Sequence, residues 1–269
     1  MSAITSQRRK YWIAGSIALT MAFAGYGLAR FYPALGPIAG TITPQLYVGS
    51  LPTADIPERG RYVLVDAASA RLYMIEDGRV RDSMRVIVGK PETPTPALSS
   101  VIHYETLNPY WHVTSDLAKT IIAPRVLKDG QSYLTERGYQ VVTGWGPNAQ
   151  VVPADAVDWP AVAAGTTQIL VRQQPGPTNS LGHFKFDLPN SDGIYLHDTP
   201  KKELFALDQR NLSHGCVRLE DAPRLARWLL GKDPPPAPTP EAHVLLPQPV
   251  PVTISYLDQR AQLRLAAIG

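Results

Sequence analysis

Cysteine is almost absent from this chain: Cys216 is the only one in 269 residues. An intramolecular disulfide is therefore excluded, and so is any paired-cysteine zinc or redox centre. The 26 prolines disfavour long helices and favour extended segments and turns. Excess charge is also scarce. The formal net charge is +3, but residues 1–30 hold Arg8, Arg9, Lys10 and Arg30 with no acid, so the remaining 239 residues sum to −1. No basic patch and no RNA- or DNA-recognition motif is present, which argues against a nucleic-acid partner.

Charged residues are missing altogether from Tyr11 to Ala29. At helical rise such a stretch spans about 28 Å, close to a bilayer core. With Arg8-Arg9-Lys10 ahead of it, it reads as an inner-membrane anchor that sends the rest of the chain into the periplasm. A signal peptide cleaved after Ala22-Phe23-Ala24 is the competing reading, and it also exports the domain. Residues 31–59, with several prolines and glycines, read as a linker, and a single domain is expected over 60–269.

Within that domain the pattern is mainly β. Tyr62–Asp66, Arg71–Ile75 and Met84–Val88 form short apolar runs, with Glu76-Asp77-Gly78 as a turn. Further strands are expected at Ser99–Tyr104, Thr167–Arg172, His183–Leu188 and Gly193–Leu196. A helix capped by Ser115 is expected over about 116–127, interrupted near Pro124. It opens a weakly periodic segment, 113–166, that reads as an inserted cap or lid. A second helix starts at Asp221, with Ala222, Leu225, Ala226, Leu229 and Leu230 on one face. A Pro-rich connection, 233–249, leads to a final strand at Val250–Leu257, and Gln262–Leu265 is a weaker strand candidate.

The chemistry gathers at Ser213-His214-Gly215-Cys216-Val217-Arg218. A free cysteine is often just a small buried hydrophobe, but this one has His, Gly and Arg beside it and lies in an exported domain. It reads as a nucleophile, which requires a base to take the thiol proton. His197, at the end of a strand, is the better base. His214 is close in sequence and suits orienting a partner or lining the site. The His214-Gly215-Cys216 turn offers backbone N–H groups for an oxyanion, and Ser213 and Gly215 are expected among the oxyanion or substrate-binding residues. Arg218 suits a carboxylate. Trp111, Tyr110 and His112 are candidates for a pocket wall, and Tyr195 for substrate contact. Zinc held by Cys216, His214 and His197 is a competing use, disfavoured by the tight spacing, and no metal is expected.

Together with Tyr195-Leu196-His197-Asp198-Thr199-Pro200, this run resembles the catalytic motif of the L,D-transpeptidases of the YkuD type. The resemblance extends through Val88–Pro96, Asn108-Pro109-Tyr110-Trp111 and Gln174-Pro175-Gly176-Pro177, covers roughly 60–260, and is similar to the large periplasmic Gram-negative subgroup with a capping insertion. It implies a β-sandwich-like catalytic domain with a few helices and an inserted lid, and no cofactor. It also implies that Cys216 is acylated by the tetrapeptide stem of peptidoglycan, between meso-diaminopimelate and terminal D-Ala, with His197 moving protons. An amine from a second stem then yields a 3-3 cross-link. Water or a protein amine as acceptor would give a hydrolase or a protein-to-wall transferase; a non-catalytic wall-binding module is the remaining alternative. A separate peptidoglycan-binding domain, found in many larger members, is not expected.

Overall fold

The structure, a computed structural model, describes residues 56–146, 148–237 and 239–269. The expected membrane segment and nearly all of the linker lie outside the described residues. Among the described residues no helix is long and apolar enough to cross a membrane.

The chain opens with a meander, β1 (Arg61–Asp66), β2 (Arg71–Glu76) and β3 (Arg79–Gly89), followed by β4 (Leu98–Leu107) and β5 (Trp111–Val113). Helices α1 (Ser115–Leu117), α2 (Ala123–Asp129) and α3 (Ser132–Arg137) come next. After β6 (Tyr139–Val142) and β7 (Val151–Val152) comes α4 (Trp159–Ala164). The chain returns through β8 (Leu170–Gln173), β9 (Phe184–Asp187), β10 (Tyr195–His197), β11 (Asn211–Ser213) and β12 (Val217–Leu219). It ends with α5 (Ala222–Leu230), β13 (Ala242–Ser255) and α6 (Gln259–Ala267).

Nine strands form one sheet in the order β11-β3-β12-β10-β9-β4-β13-β1-β2. Because β2 also pairs with β3, the two ends of that order meet and the sheet wraps round its core. The core contains Val63, Leu72, Met84, Phe186, Leu196 and Val217, together with the apolar face of α5. Asp221 caps α5 by accepting from the Arg224 N–H at 3.0 Å. Each large side chain buried here stabilises the fold by about 1.5–3 kcal/mol. The fold is mainly β with few helices, as expected.

Strands β5, β8, β6 and β7 form a separate four-stranded sheet. Helices α1 to α4 cover it, with Val113, Ile122, Val126, Trp159 and Val171 in a core of its own. Two details differ from the sequence reading. Thr114, not Ser115, caps the first helix, and the helix passes Pro124 through a π-helical turn over Ala118–Ile122. Pro124 falls in the first turn of α2, where its missing N–H costs no helical hydrogen bond.

The C-terminal region holds two more corrections. β13 begins at Ala242, inside the stretch expected to be a connection, and pairs with β4 along its length. Pro247 and Pro249 hid it. They cannot donate to a ladder, and they sit where the register shifts between Leu245 and Val250. Gln262–Leu265, the weaker strand candidate, lies within α6 instead. Asp258 caps that helix and Ala261 and Leu265 bury its inner face against Leu64 and Ile75.

Candidate active site

Strand register assembles the site. β10 and β12 run parallel, with Leu196 opposite Val217 and His197 opposite Arg218. Side chains alternate faces along a strand, and partners share a face. Leu196 and Val217 point into the core and are fully buried. Tyr195, His197 and Arg218 therefore project from the other face, and Cys216 enters β12 beside them.

The loop carrying Cys216 is held by two buried hydroxyls. Ser213, 2% exposed, donates to the Cys216 carbonyl at 2.6 Å and accepts from the Gly215 N–H at 3.1 Å. Thr95 donates to the Gly215 carbonyl at 2.6 Å while accepting from the Gly89 N–H at 2.8 Å. The Lys90 N–H adds a bond to the Ser213 carbonyl. Thus the proline-rich run 88–96 is the platform on which the Cys216 loop rests. Gly215 has φ of +119°, which strains any residue with a Cβ, and a Cβ there would also meet Ile194 at 3.2 Å.

His197 is buried, and its Nδ1 donates to the Asp198 carbonyl. A carbonyl only accepts, so the proton sits on Nδ1 and Nε2 keeps its lone pair. Burial, aided by the Arg218 charge, holds the ring's pKa down at about 3. Asp198 is fixed in turn by the His183 N–H and by Lys202 at 2.6 Å. The backbone at Gly182 packs so closely on Asp198 that a Cβ there would lie 2.3 Å from its Oδ2.

Cys216 is half-buried, and its Sγ lies 3.7 Å from the Gly193 carbonyl. Burial pushes the thiol up, opposed by hydrogen bonds from Tyr195 and by the charges of Lys185 and Arg218. The Tyr195 hydroxyl is bonded to both the thiol and Trp111, which brings a β5 residue of the second sheet into the site. The thiol and the imidazole are thus both neutral at rest. The sequence reading had asked for a lowered thiol pKa, and the cause of the difference is burial.

The other expected residues divide. Arg218 is partly buried, its pKa lowered by burial, and its guanidinium has no hydrogen-bond or ion-pair partner among the described residues that we identify. His214 is exposed and feels Lys90, Arg218 and Asp116, so it belongs to the rim and not to the thiol–imidazole pair. The Gly215 N–H is engaged by Ser213, which removes it from the expected set of oxyanion donors and leaves those of His214 and Cys216. His112 stacks on Trp145 at 4.5 Å, and Tyr110 lies under Arg172 at 4.7 Å. Among the described residues no group of three or more His, Cys, Asp or Glu is arranged to hold a metal ion.

Sequence reasoning missed Thr95, Asn179 and Lys185. Asn179 is fully buried and donates to the Pro109 and Gln174 carbonyls at 2.9 and 3.0 Å, tying together both crossings to the second sheet. The clue was an Asn directly after Gly-Pro-Thr, too common a pattern to single out.

A mainly β domain with a histidine on one strand and a cysteine just ahead of the parallel strand beside it defines the class, and sequence comparison supplies the family. Residues 60–252 match the family model of the YkuD L,D-transpeptidase catalytic domain. The chain belongs to that family. It is 34% identical over 189 residues to a Haemophilus influenzae protein described as "Putative L,D-transpeptidase", a match covering 70% of this chain and 37% of that protein. Among solved structures, the L,D-transpeptidase from Mycobacterium smegmatis shares 18% identity with a TM-score of 0.35, covering 72% of this chain and 59% of that one. The catalytic domain of the E. faecium L,D-transpeptidase shares 17% with a TM-score of 0.34, covering 72% and 97%.

Proposed function

We propose that this protein is a peptidoglycan L,D-transpeptidase that forms 3-3 cross-links through a thioester on Cys216. What carries this reading is the parallel register that sets His197 on the strand next to the segment bearing Cys216, with the unprotonated His197 nitrogen fixed by the bond from Nδ1 to Asp198. Cys216 Sγ attacks the carbonyl between the L-centre of meso-diaminopimelate and terminal D-Ala while Nε2 of His197 takes the thiol proton. The N–H groups of His214 and Cys216 receive the oxyanion. Collapse breaks the C–N bond, and the departing D-Ala amine takes the proton back from His197. Burial of the imidazolium favours return of that proton. The amine of a second stem then attacks the thioester, passes its proton to His197, and the sulfur leaves and is reprotonated.

Arg218, charged and unpaired beside the sulfur, receives a stem carboxylate. The second sheet, linked to the thiol through Trp111 and Tyr195, acts as the cap over the bound peptide. Residues 11–29 behind Arg8–Lys10 anchor the domain on the periplasmic side of the inner membrane. The chemistry needs no cofactor.

The test is to incubate the protein with disaccharide-tetrapeptide and analyse the products by mass spectrometry. A dimer that has lost one D-Ala is expected, and Cys216→Ala abolishes it. Tripeptide monomer alone would assign water as acceptor, and no product would sink the reading.

A further inference from the structure

The register that joins His197 to Arg218 continues across the sheet. His197 pairs with Lys185 on β9, Lys185 with Thr106 on β4, and Thr106 with His243 on β13. A polar row thus runs over five strands, on the face that holds Cys216. Asp187, two residues along β9, pairs with Tyr195 and shares that face. Phe186, between them, is buried in the core on the other side.

Lys185 and Asp187 form an ion pair at 2.5 Å, with side chains only 24% and 26% exposed. Lys185 Nζ also lies 4.8 Å from the centre of the Tyr195 ring, and Asp187 Oδ2 accepts from Thr106 at 3.3 Å. Half-desolvating two charges costs more than a pair of this kind returns, so it adds little to stability. Its position is informative. β9 lies two strands from β12, roughly 10 Å at the usual spacing of β-strands. The pair is therefore one short extended side chain away from the sulfur, with a cation and an anion fixed side by side.

We propose that Lys185 and Asp187 form a subsite for the zwitterionic end of the donor stem's diaminopimelate side chain. The ligand carboxylate sits on Lys185 and its ammonium on Asp187. The inference rests on the stem-peptide reading above and adds to it the feature of the stem that is recognised. Four alternating charges around a centre stabilise one another, whereas a ligand carrying only one of the two leaves a protein charge half-buried without its new partner. Discrimination follows from that asymmetry.

Single-turnover acylation of the full chain, read by intact-protein mass spectrometry, tests it with three donor tetrapeptides. One has the free zwitterion, one has the side-chain carboxylate amidated, and one has the side-chain amine acetylated. The wild type should acylate on the first at least about tenfold faster than on either other, as loss of one charge-assisted bond implies. Lys185→Met should bring the amidated stem to within about twofold of the free one while retaining the penalty for acetylation. Asp187→Asn should do the reverse. Each ratio is taken within one variant, so any effect of Lys185 on thiol reactivity cancels, and Lys185→Gln repeats the test if Lys185→Met fails to fold. Wild-type ratios retained in both variants, or no preference in the wild type, overturn the subsite. If no stem acylates the wild type, the transpeptidase reading fails separately. Calorimetric binding of the same stems to Cys216→Ala then decides the subsite: selectively tight binding of the zwitterion supports it, and equal or absent binding overturns it.

Discussion

At the scale of single residues, the site depends on two groups that are both neutral at rest. A thiolate–imidazolium pair would show fast alkylation far below the usual thiol pKa. Here burial raises the thiol and depresses the imidazole, so neither is ionised at rest. Iodoacetamide should therefore label Cys216 more slowly at pH 7 than it labels an exposed cysteine, with the rate climbing through pH 9. A labelling rate already at plateau near pH 6 would contradict this. Tyr195→Phe removes the hydroxyl that bonds the sulfur. It should move the labelling profile to higher pH and slow acylation about ten- to a hundredfold, the worth of one bond to a developing thiolate. Cys216, His197, Tyr195 and Arg218 could be singled out in the sequence because their residue types suit the chemistry and stand in motifs that resemble the family's, and the strand register sets Arg218 opposite His197. Thr95 was not, because what makes it matter is a fold that brings it 120 residues back onto the Gly215 carbonyl.

At the scale of elements, β4 carries a cost that neither packing nor the reaction explains. Glu105, paired with Phe186 and Val244, is fully buried, and neither carboxylate oxygen has a hydrogen-bond partner. Burial pushes its pKa up to about 7 from 4.5. A carboxylate raised in the folded state stabilises most below its unfolded pKa, and that contribution is lost as pH climbs through the folded one. Glu105→Gln should thus gain stability over the wild type by about 3 kcal/mol at pH 8 and far less at pH 4.5. Urea unfolding at the two values checks it, and an equal gain at both would mean that ionisation is not the cause. An isolated Glu inside a strand is read from sequence as a solvent-facing position, so this burial was invisible. The same limit hid the start of β13, where prolines mask a strand, and α6, whose apolar positions serve two periods equally well. The meander and α5 were legible because capping, turn residues and periodicity all agreed.

Across the whole molecule, proton binding pulls stability in two directions. His197 binds its proton near 6.5 when unfolded but only at about 3 when folded, and burial also lowers His112 and His214. Between those values the unfolded chain holds more protons, so acid destabilises the fold. Glu105 does the opposite between 4.5 and about 7, where the native state holds the extra proton. From pH 6.5 down to 4.5 the Glu105 and His197 contributions nearly cancel, so the slope that is left comes from His112 and His214. Below 4.5 Glu105 is protonated in both states and no longer compensates, so stability should fall by up to about 1.4 kcal/mol per unit through His197. The expected curve has a break near 4.5, measurable as the urea midpoint from pH 3.5 to 8. Glu105→Gln takes away the counterweight. Its stability should decline from 6.5 downward without the shallow stretch above 4.5, and a shallow stretch that survives in the variant would place the compensating proton on another group.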